Sequence, residues 1–151
     1  MEATFSGITS DIAADCAAAK TAARALAGAS TDSKNEALAA IAAGLVERSE
    51  EILAANVQDL SDEHAAGLTD ALIDRLTLTA ERIEAIAAGA REVARLDDPV
   101  GEEIESRILD NGLELKKVRV PLGVVAVVYA ARPHGTLDRA VPTTKSGHAT
   151  L

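Results

Sequence analysis

A run of five apolar residues at 124–128 constrains the fold of this chain more than any other segment. Four of the five are β-branched, and the run is bounded by Pro121 and Gly123 on one side and by Pro133 on the other. A short apolar run between such residues is typical of a strand that is buried on both faces of a parallel sheet covered by helices. The sequence therefore predicts an α/β protein. Because ligands of such sheets bind at the carboxyl ends of the strands, residues 129–134 are the first candidates for a site.

Helical spacing marks the first hundred residues. Apolar residues recur three and four positions apart, beginning with Ile12, Cys16, Ala19, Ala23 and Leu26, and this is the spacing of an amphipathic helix. Ser and Thr residues that can cap helix N-termini separate the apolar stripes. The sequence thus predicts five helices: residues 11–29, a second helix capped within residues 30–32, a third capped by Ser49 that ends near Ser61, a fourth from Thr69 to about Leu76, and a fifth capped by Thr79 that runs to Arg95.

Strand signals replace the helical spacing after residues 96–101, where Pro99 and Gly101 end the periodic pattern. Segments 104–109 and 113–120 flank an Asn-Gly pair, which favours a two-residue type I′ hairpin turn. A last helix is predicted over residues 135–146, with Pro142 as a costly interior residue, and residues 149–151 begin a second parallel strand. The chain is thereby divided into a helical part at 1–98, a β-hairpin at 99–121 and the start of a parallel sheet at 122–151.

Charge is unevenly distributed along the 151 residues, whose net charge is −9. Up to Leu115 there are 9 Lys and Arg residues against 23 Asp and Glu, whereas from Lys116 onward there are 6 against 1. The acidic excess argues against binding to nucleic acid or to an anionic membrane. The basic end can face an anionic ligand, such as a phosphorylated substrate or cofactor, or it can face the acidic helices or a partner subunit.

Cysteine and histidine offer little for a metal or nucleophile site. Cys16 is the single cysteine, and its place on the apolar face of the first predicted helix favours burial as a small packing residue. His64 lies among acidic residues on a predicted solvated face, and the sequence has no cluster with zinc-ligand spacing, so no metal is expected. The chain also lacks an apolar run of transmembrane length and a signal peptide pattern, which favours a cytoplasmic protein without a membrane partner.

Several motifs occur in the order found in one enzyme family. They are Asp74-Arg75-Leu76-x-Leu78, Pro121-Leu-Gly-Val-Val125, Tyr129-x-Ala131-Arg132-Pro133 and Lys145-Ser146-Gly147, with further matches from about Ala18 onward. Together they resemble the N-terminal third of γ-glutamyl phosphate reductase (glutamate-5-semialdehyde dehydrogenase), a member of the aldehyde dehydrogenase superfamily. The resemblance implies an incomplete cofactor domain of that type: a helical region, a hairpin of the oligomerisation type, and the first strand and helix of the sheet.

The resemblance also implies a reaction, namely NADPH-dependent reduction of γ-glutamyl phosphate to glutamate-5-semialdehyde in proline biosynthesis. NADP(H) is then the expected cofactor and γ-glutamyl phosphate the small-molecule substrate. The family's catalytic cysteine falls beyond residue 151, so this chain alone is expected to be inactive. Unpaired strand edges favour self-association. Two alternatives stay open: a non-catalytic helical interaction module or remnant of the enzyme gene, and an incomplete chain.

The resemblance assigns roles to residues after the predicted strand. His134 stands at the family's Asn position, whose superfamily counterpart donates a hydrogen bond to the oxyanion, and a histidine ring nitrogen can donate as well. Arg132 can hold a carboxylate or phosphate in bidentate fashion, or it can form a surface salt bridge. Tyr129, Ala131 and Arg132 are expected near the nicotinamide end of the cofactor. A cofactor role for Lys145 is left open, because the match weakens after His134.

Overall fold

Six helices and four strands form the described part of the chain. The computed structural model describes residues 12–62, 67–129 and 132–151. In chain order its elements are α1 (Ile12–Ala27), α2 (Thr31–Glu47), α3 (Ser49–Ser61), α4 (Asp70–Leu76), α5 (Ala80–Arg95), β1 (Glu103–Ile108), β2 (Glu114–Val118), β3 (Val124–Val125), α6 (Gly135–Lys145) and β4 (Ala149–Thr150). These elements confirm the predicted α/β class, the five N-terminal helices and the last helix.

Helix starts follow the predicted caps in two places and depart from them in a third. The Ser30 hydroxyl accepts from the Ser33 amide and the Thr79 hydroxyl accepts from the Arg82 amide, both at 3.2 Å. The prediction that Ser49 caps α3 is wrong, because Ser49 is already helical and Arg48 occupies the cap position. A single residue joins α2 to α3, so the backbone carbonyl of Arg48 already accepts the first bond of α3, from the Ile52 amide.

The core lies where α2, α5 and α6 meet. Its fully or almost fully buried apolar residues are small or of middle size: Leu38, Ala42, Ala87, Ala90 and Val141. Ile41, Leu45 and Val93 pack against this cluster, which confirms the predicted inward stripes of α2 and α5. Alanines at the centre let two helix backbones approach closely. This close packing compensates in part for the smaller apolar area that an alanine buries.

Two buried lysines connect this core to its surroundings. The Lys34 ammonium lies 2.5 Å from a carboxylate oxygen of Asp98, and the two side chains are 1% and 10% exposed. Asp98 also accepts from the Thr31 hydroxyl and the Val100 amide. Burial acts to raise the pKa of Asp98, but the hydrogen bonds from Lys34, Val100 and Thr31 outweigh it and hold that pKa below its ordinary value. The pair therefore ties the start of α2 to the segment after α5.

Lys145 is the second buried lysine and is 3% exposed at the end of α6. Its ammonium donates to the side-chain oxygen of Asn35 at 2.6 Å and to the backbone carbonyl of Ala94 at 3.0 Å. These bonds join α6 to both α2 and α5. Lys145 thus holds the helices together from inside the core, a position that leaves its ammonium no access to a ligand in this structure.

The hairpin of β1 and β2 is antiparallel and every residue of both strands is exposed. The predicted two-residue turn is wrong by one residue. The Gly112 amide bonds to the Leu109 carbonyl, and the Leu109 amide bonds to the Leu113 carbonyl, so three residues form the loop. Gly112 takes the left-handed conformation, with φ 83°, as expected for a three-residue loop that ends in a bulge.

Residues 124–128 form a much shorter strand than predicted. Only Val124 and Val125 are in β3, which pairs in parallel with Ala149 and Thr150 of β4 and confirms the second parallel strand. Burial on both faces is contradicted, because Val125 is half-buried and Val128 is completely exposed. Within the described residues β3 has one strand neighbour, and α1 covers one side of it. A strand reaches full burial only when helices cover both faces, so this part of the prediction fails in the present chain.

The turn after α6 packs tightly against the segment before β3. Gly147 has φ 75°, and a β-carbon there would lie 2.9 Å from a side-chain carbon of Pro121. The Leu122 amide donates to Nε2 of His148, so Nδ1 carries the proton and donates to the Ser146 hydroxyl. Pro142 lies in the third turn of α6, not at its start as a tolerated position would require. These contacts set the relative position of β3 and α6.

Candidate functional site

The candidate site is built where β3 leads into α6. Tyr129 lies beyond the end of β3, and its hydroxyl hydrogen-bonds to the Thr136 hydroxyl in the first turn of α6. Gly135 is buried beneath the ring, and a β-carbon at this position would lie 3.2 Å from a ring carbon of Tyr129. The glycine therefore allows the ring to lie against the helix start. Tyr129, which the sequence predicted as a site residue, fixes the entry into α6.

His134 occupies the N-cap position of α6. Its backbone carbonyl accepts the first helical bonds, from the amides of Leu137 and Asp138. Its ring Nε2 lies 3.9 Å from a carboxylate oxygen of Asp138, and the His134 side chain is 38% exposed. The ring makes no capping bond to the helix, and it lines a cleft together with residues of α4 and α5. This position leaves a donor available for a ligand oxygen.

A cationic cleft lies beside Tyr129, and we call it the β3–α6 cleft. Its volume is about 260 Å³. Its lining residues are Val127, Val128, Tyr129, Arg132, Gly135, Asp138 and Arg139. The guanidinium groups of Arg132 and Arg139 have no hydrogen-bond or ion-pair partner among the described residues. Two unpaired guanidinium groups are suited to a phosphate or carboxylate.

Arg139 was missed in the sequence analysis. It lies one helical turn after Gly135, so it shares the side of α6 that faces Arg132 once the helix begins at residue 135. The predicted helix start together with this spacing could have found it. Asp138 was missed as well, although its i, i+4 spacing from His134 is a recognisable signal.

A second cleft also borders the start of α6, and we call it the α4–α6 cleft. It has a volume of about 340 Å³ and is lined by Asp74, Arg75, Leu78, Arg82, Ala85, Ile86, His134 and Asp138. Arg82 is held there by three bonds, which it donates to the carbonyls of Asp74 and Thr77 and to the Asp74 carboxylate. These bonds hold the link between α4 and α5 in place, so the cleft has a fixed wall.

The remaining predicted residues have varied outcomes. Ala131, with its neighbour Ala130, lies outside the described residues, and so does His64. Burial of Cys16 is contradicted: the thiol is exposed in a separate cleft between α1 and the start of β3. Of the predicted first stripe, only Ala19 and Ala23 are buried. The cleft that Cys16 lines shares no residue with the β3–α6 cleft.

The described residues also bear on membranes, metals and cofactors. Within the described residues, no helix combines the length and apolarity needed to cross a bilayer. In the same part of the chain, no three His, Cys, Asp or Glu side chains are arranged to hold a metal ion. The volume of about 260 Å³ in the β3–α6 cleft is below the range of about 300–1,000 Å³ that small-molecule pockets usually occupy. The β3–α6 cleft is therefore too small to enclose a whole dinucleotide.

The parallel β3–α6–β4 unit, with packed helices before it, defines part of an α/β domain, and polar side chains follow the carboxyl end of β3 where such domains usually bind ligands. No protein-family model matches the chain. The γ-glutamyl phosphate reductase of Thermobifida fusca is 50% identical over 133 residues, which are 88% of this chain and 32% of that protein. The enzyme of the same name from Vibrio cholerae is 52% identical over 134 residues, 89% of this chain and 32% of its own length.

Solved structures agree with the curated relatives. The crystal structure of γ-glutamyl phosphate reductase from Thermotoga maritima matches 93% of this chain and 34% of its own, with a TM-score of 0.89 and 36% identity. The structure of the Saccharomyces cerevisiae enzyme matches 87% of this chain and 34% of its own, with a TM-score of 0.82 and 33% identity. The chain is therefore homologous to γ-glutamyl phosphate reductase, which confirms the resemblance. It spans about a third of the length of the curated relatives it matches.

Proposed function

We propose that this chain forms part of an NADPH-dependent reductase that converts γ-glutamyl phosphate to glutamate-5-semialdehyde in proline biosynthesis. The observation that carries the proposal is the 50% identity to a γ-glutamyl phosphate reductase over 88% of the chain. NADP(H) is the proposed hydride donor, and the cytoplasm is the proposed location. The division into a helical part at 1–98, a hairpin at 99–121 and the start of the sheet at 122–151 is proposed as well.

The geometry at the start of α6 supports this reaction class. An acyl phosphate presents a dianionic phosphate next to a carbonyl group, and both need cationic or donor groups as charge moves between them. In the proposed binding mode, Arg132 and Arg139 hold the phosphate, and a ring nitrogen of His134 donates to the carbonyl oxygen. Tyr129 keeps these residues in position through its bond to Thr136.

The nucleophile of the proposed reaction lies outside these 151 residues. A cysteine nucleophile must approach the carbonyl carbon within the cleft that binds the substrate. Cys16 lines a different cleft, so it does not meet this requirement. We therefore expect the isolated chain to show no phosphate-dependent reduction of NADP by glutamate-5-semialdehyde. Activity of the purified chain that disappears in Cys16→Ala would contradict the assignment.

A chimera tests the proposal directly. This chain replaces the homologous third of the Vibrio cholerae reductase, and phosphate-dependent NADP reduction by glutamate-5-semialdehyde is measured. We expect activity in the chimera. Loss of the guanidinium in Arg132→Gln should lower that activity about tenfold or more, since hydrogen bonds to charged groups are among the stronger ones. The control is Arg95→Gln, because Arg95 pairs with Glu92 on the exposed surface far from the site. A folded but inactive chimera would reject the proposed function.

Two substitutions at His134 separate its donor role from simple packing. His134→Ala in the chimera should reduce the turnover rate by about 100-fold, which is the typical loss when an oxyanion donor is removed. His134→Asn installs the residue usual in the family and should retain most of the activity. Equal losses in both variants would show that the ring serves the fold and not the reaction.

A non-catalytic interaction module is the second candidate function. The observation that favours it is the exposed hairpin, in which Ile108 is 77% and Leu113 is 62% exposed. A two-stranded hairpin with no cover on either face is marginal in water, so a second copy or another protein is expected to cover it. Size measurement by analytical ultracentrifugation tests this candidate, and a monomer at all accessible concentrations would speak against it.

A further inference from the structure

We infer that the α4–α6 cleft binds the amino-acid head group of the substrate, with Arg75 holding the α-carboxylate and Asp138 the α-ammonium. The inference rests on the proposed function, because it assigns the part of the same substrate that does not react. It adds a specificity site to the reacting end at Arg132 and His134. The two clefts meet at the first turn of α6, where both include Asp138.

Arg75 supplies the anion-binding group of this cleft. It lies in the last turn of α4 and is exposed, and no hydrogen-bond or ion-pair partner for its guanidinium is found among the described residues. The neighbouring Arg82 is committed to Asp74 and Thr77, so it has few donors left for a ligand. The cleft thus contains one structural arginine and one that is free to form a bidentate pair with a carboxylate.

Asp138 supplies the complementary charge. Its side chain is 53% exposed, and the one basic group within 4 Å of its carboxylate among the described residues is the ring of His134, at 3.9 Å. That distance is too long for a hydrogen bond, so the carboxylate can accept from a ligand ammonium. A cation-binding and an anion-binding side chain facing one small cleft match a zwitterion better than a simple anion or cation.

The floor of the cleft suits the methylene groups of such a ligand. Leu78, Ala85 and Ile86 provide an apolar surface between the charged residues. A cleft of about 340 Å³ has room for a five-carbon amino acid but is small for a peptide or a nucleotide. His134 lines the same cleft and is the residue proposed to face the reacting carbonyl, so the head group and the carbonyl end can be bound by one continuous surface.

The first test is NMR titration of the 151-residue chain with L-glutamate as the probe. Saturable shift changes are expected at Leu78, Ile86 and Asp138. Arg75→Gln and Asp138→Asn should each weaken binding about tenfold or more, since each removes a charged hydrogen-bond partner. Arg95→Gln should bind as the parent does. Glutarate, which lacks the amino group, should bind more weakly to the parent, and its binding should be insensitive to Asp138→Asn.

Several results would overturn the inference. They are the absence of saturable shifts up to the solubility limit of glutamate, shifts confined to other surfaces, and equal binding by Arg75→Gln and the parent. Kinetics of the chimera separate this inference from the proposed function. Arg75→Gln should raise KM for glutamate-5-semialdehyde about tenfold and leave KM for phosphate unchanged. An active chimera without this KM effect rejects the cleft alone, whereas an inactive chimera with Arg75-dependent glutamate binding rejects the reaction alone.

Discussion

The α2–α5–α6 core and the β1–β2 hairpin use apolar residues in opposite ways. In the core, Leu38 and Ala87 have no exposed surface, although many of the neighbouring side chains are only alanine. In the hairpin, every residue is exposed, including larger apolar side chains such as Ile108 and Leu115. Burial in this chain therefore depends on which elements have a partner within the chain and only weakly on residue size. The core buries its central apolar residues between α2, α5 and α6, whereas the hairpin has an apolar surface that nothing in the described chain covers.

Among variants that compare buried with exposed positions, Asp98→Asn is expected to lower the free energy of unfolding the most. The variant leaves the buried Lys34 ammonium without its counter-ion, and breaking a buried pair in this way costs about 3–5 kcal/mol in the free energy of unfolding. Urea unfolding at neutral pH measures the loss. The matched control is Glu92→Gln, which breaks the exposed pair with Arg95 and should cost less than about 1 kcal/mol. Similar values for both variants would show that the Lys34 pair contributes no more than a surface contact.

The Asp98 carboxylate should also make the free energy of unfolding depend on pH in the acid range. The pKa of Asp98 is lower in the folded chain than its ordinary value of 3.8. Its contribution to stability is therefore complete above that ordinary value and is lost as the pH falls through the lower folded value. Urea unfolding between neutral pH and pH values below the ordinary one should show a smaller loss in Asp98→Asn than in the parent chain. Parallel stability curves for the two proteins would disprove this link.

Leu38→Ala should lower the free energy of unfolding by about 2–5 kcal/mol, because it removes a fully buried side chain and leaves a cavity. Leu113→Ala is the comparison in the hairpin, where the side chain is 62% exposed and a change within about 0.5 kcal/mol is expected. Thermal and urea unfolding measure both variants. A loss at Leu113 as large as that at Leu38 would mean that the hairpin is covered in solution.

Gly147→Ala should cost about 1–3 kcal/mol, since alanine is strained at φ 75° and its β-carbon would meet Pro121 at 2.9 Å. Gly44→Ala is the opposite case. Gly44 lies inside α2 with no heavy atom within 4 Å of the added carbon, so the variant should gain about 0.5–1 kcal/mol in stability. Chemical unfolding of the two variants should give changes of opposite sign, and a stable Gly147→Ala would show that the Pro121 contact relaxes easily.

The smallest effect on stability is expected from Ile108→Lys. Ile108 is 77% exposed, so the free energy of unfolding should change by about 0.5 kcal/mol or less. If the hairpin mediates self-association, the same variant should weaken it, because a lysine would have to be buried in the contact. Sedimentation velocity over a range of concentrations measures this effect. An unchanged association constant would place the contact elsewhere on the chain.

Much of the helical part could be predicted because its signals are local. The apolar spacing of Leu38, Ile41 and Leu45, the caps at Ser30 and Thr79, and the short α4 all appear in the structure. The prediction at Ser49 failed for a reason that is also local. A single residue, Arg48, joins α2 to α3 and takes the cap position, so Ser49 already belongs to the helix. Motif order was enough to recognise the homology to γ-glutamyl phosphate reductase, which the relatives confirm.

The site could be predicted only in part. Tyr129, Arg132 and His134 were placed at the end of a strand by chain order, and the structure brings them to the start of α6. Arg139 and Asp138 join them only through the turn of the helix, and Arg75 joins His134 and Asp138 in the α4–α6 cleft from a segment more than fifty residues away. A long-range neighbour of this kind has no signal in the local spacing of the chain.

The sequence by itself determined the order and type of the elements, because helix periodicity, caps and turn residues act over a few neighbouring positions. Only the tertiary structure decided the burial of particular side chains. It exposed Cys16 and Val128, which local apolarity had assigned to the interior, and it buried Lys34 and Lys145. The physical reason is that burial depends on the surface of a distant element. Lys145 can be buried because Asn35 and Ala94 provide its hydrogen bonds, whereas Val128 has no covering element in the described chain.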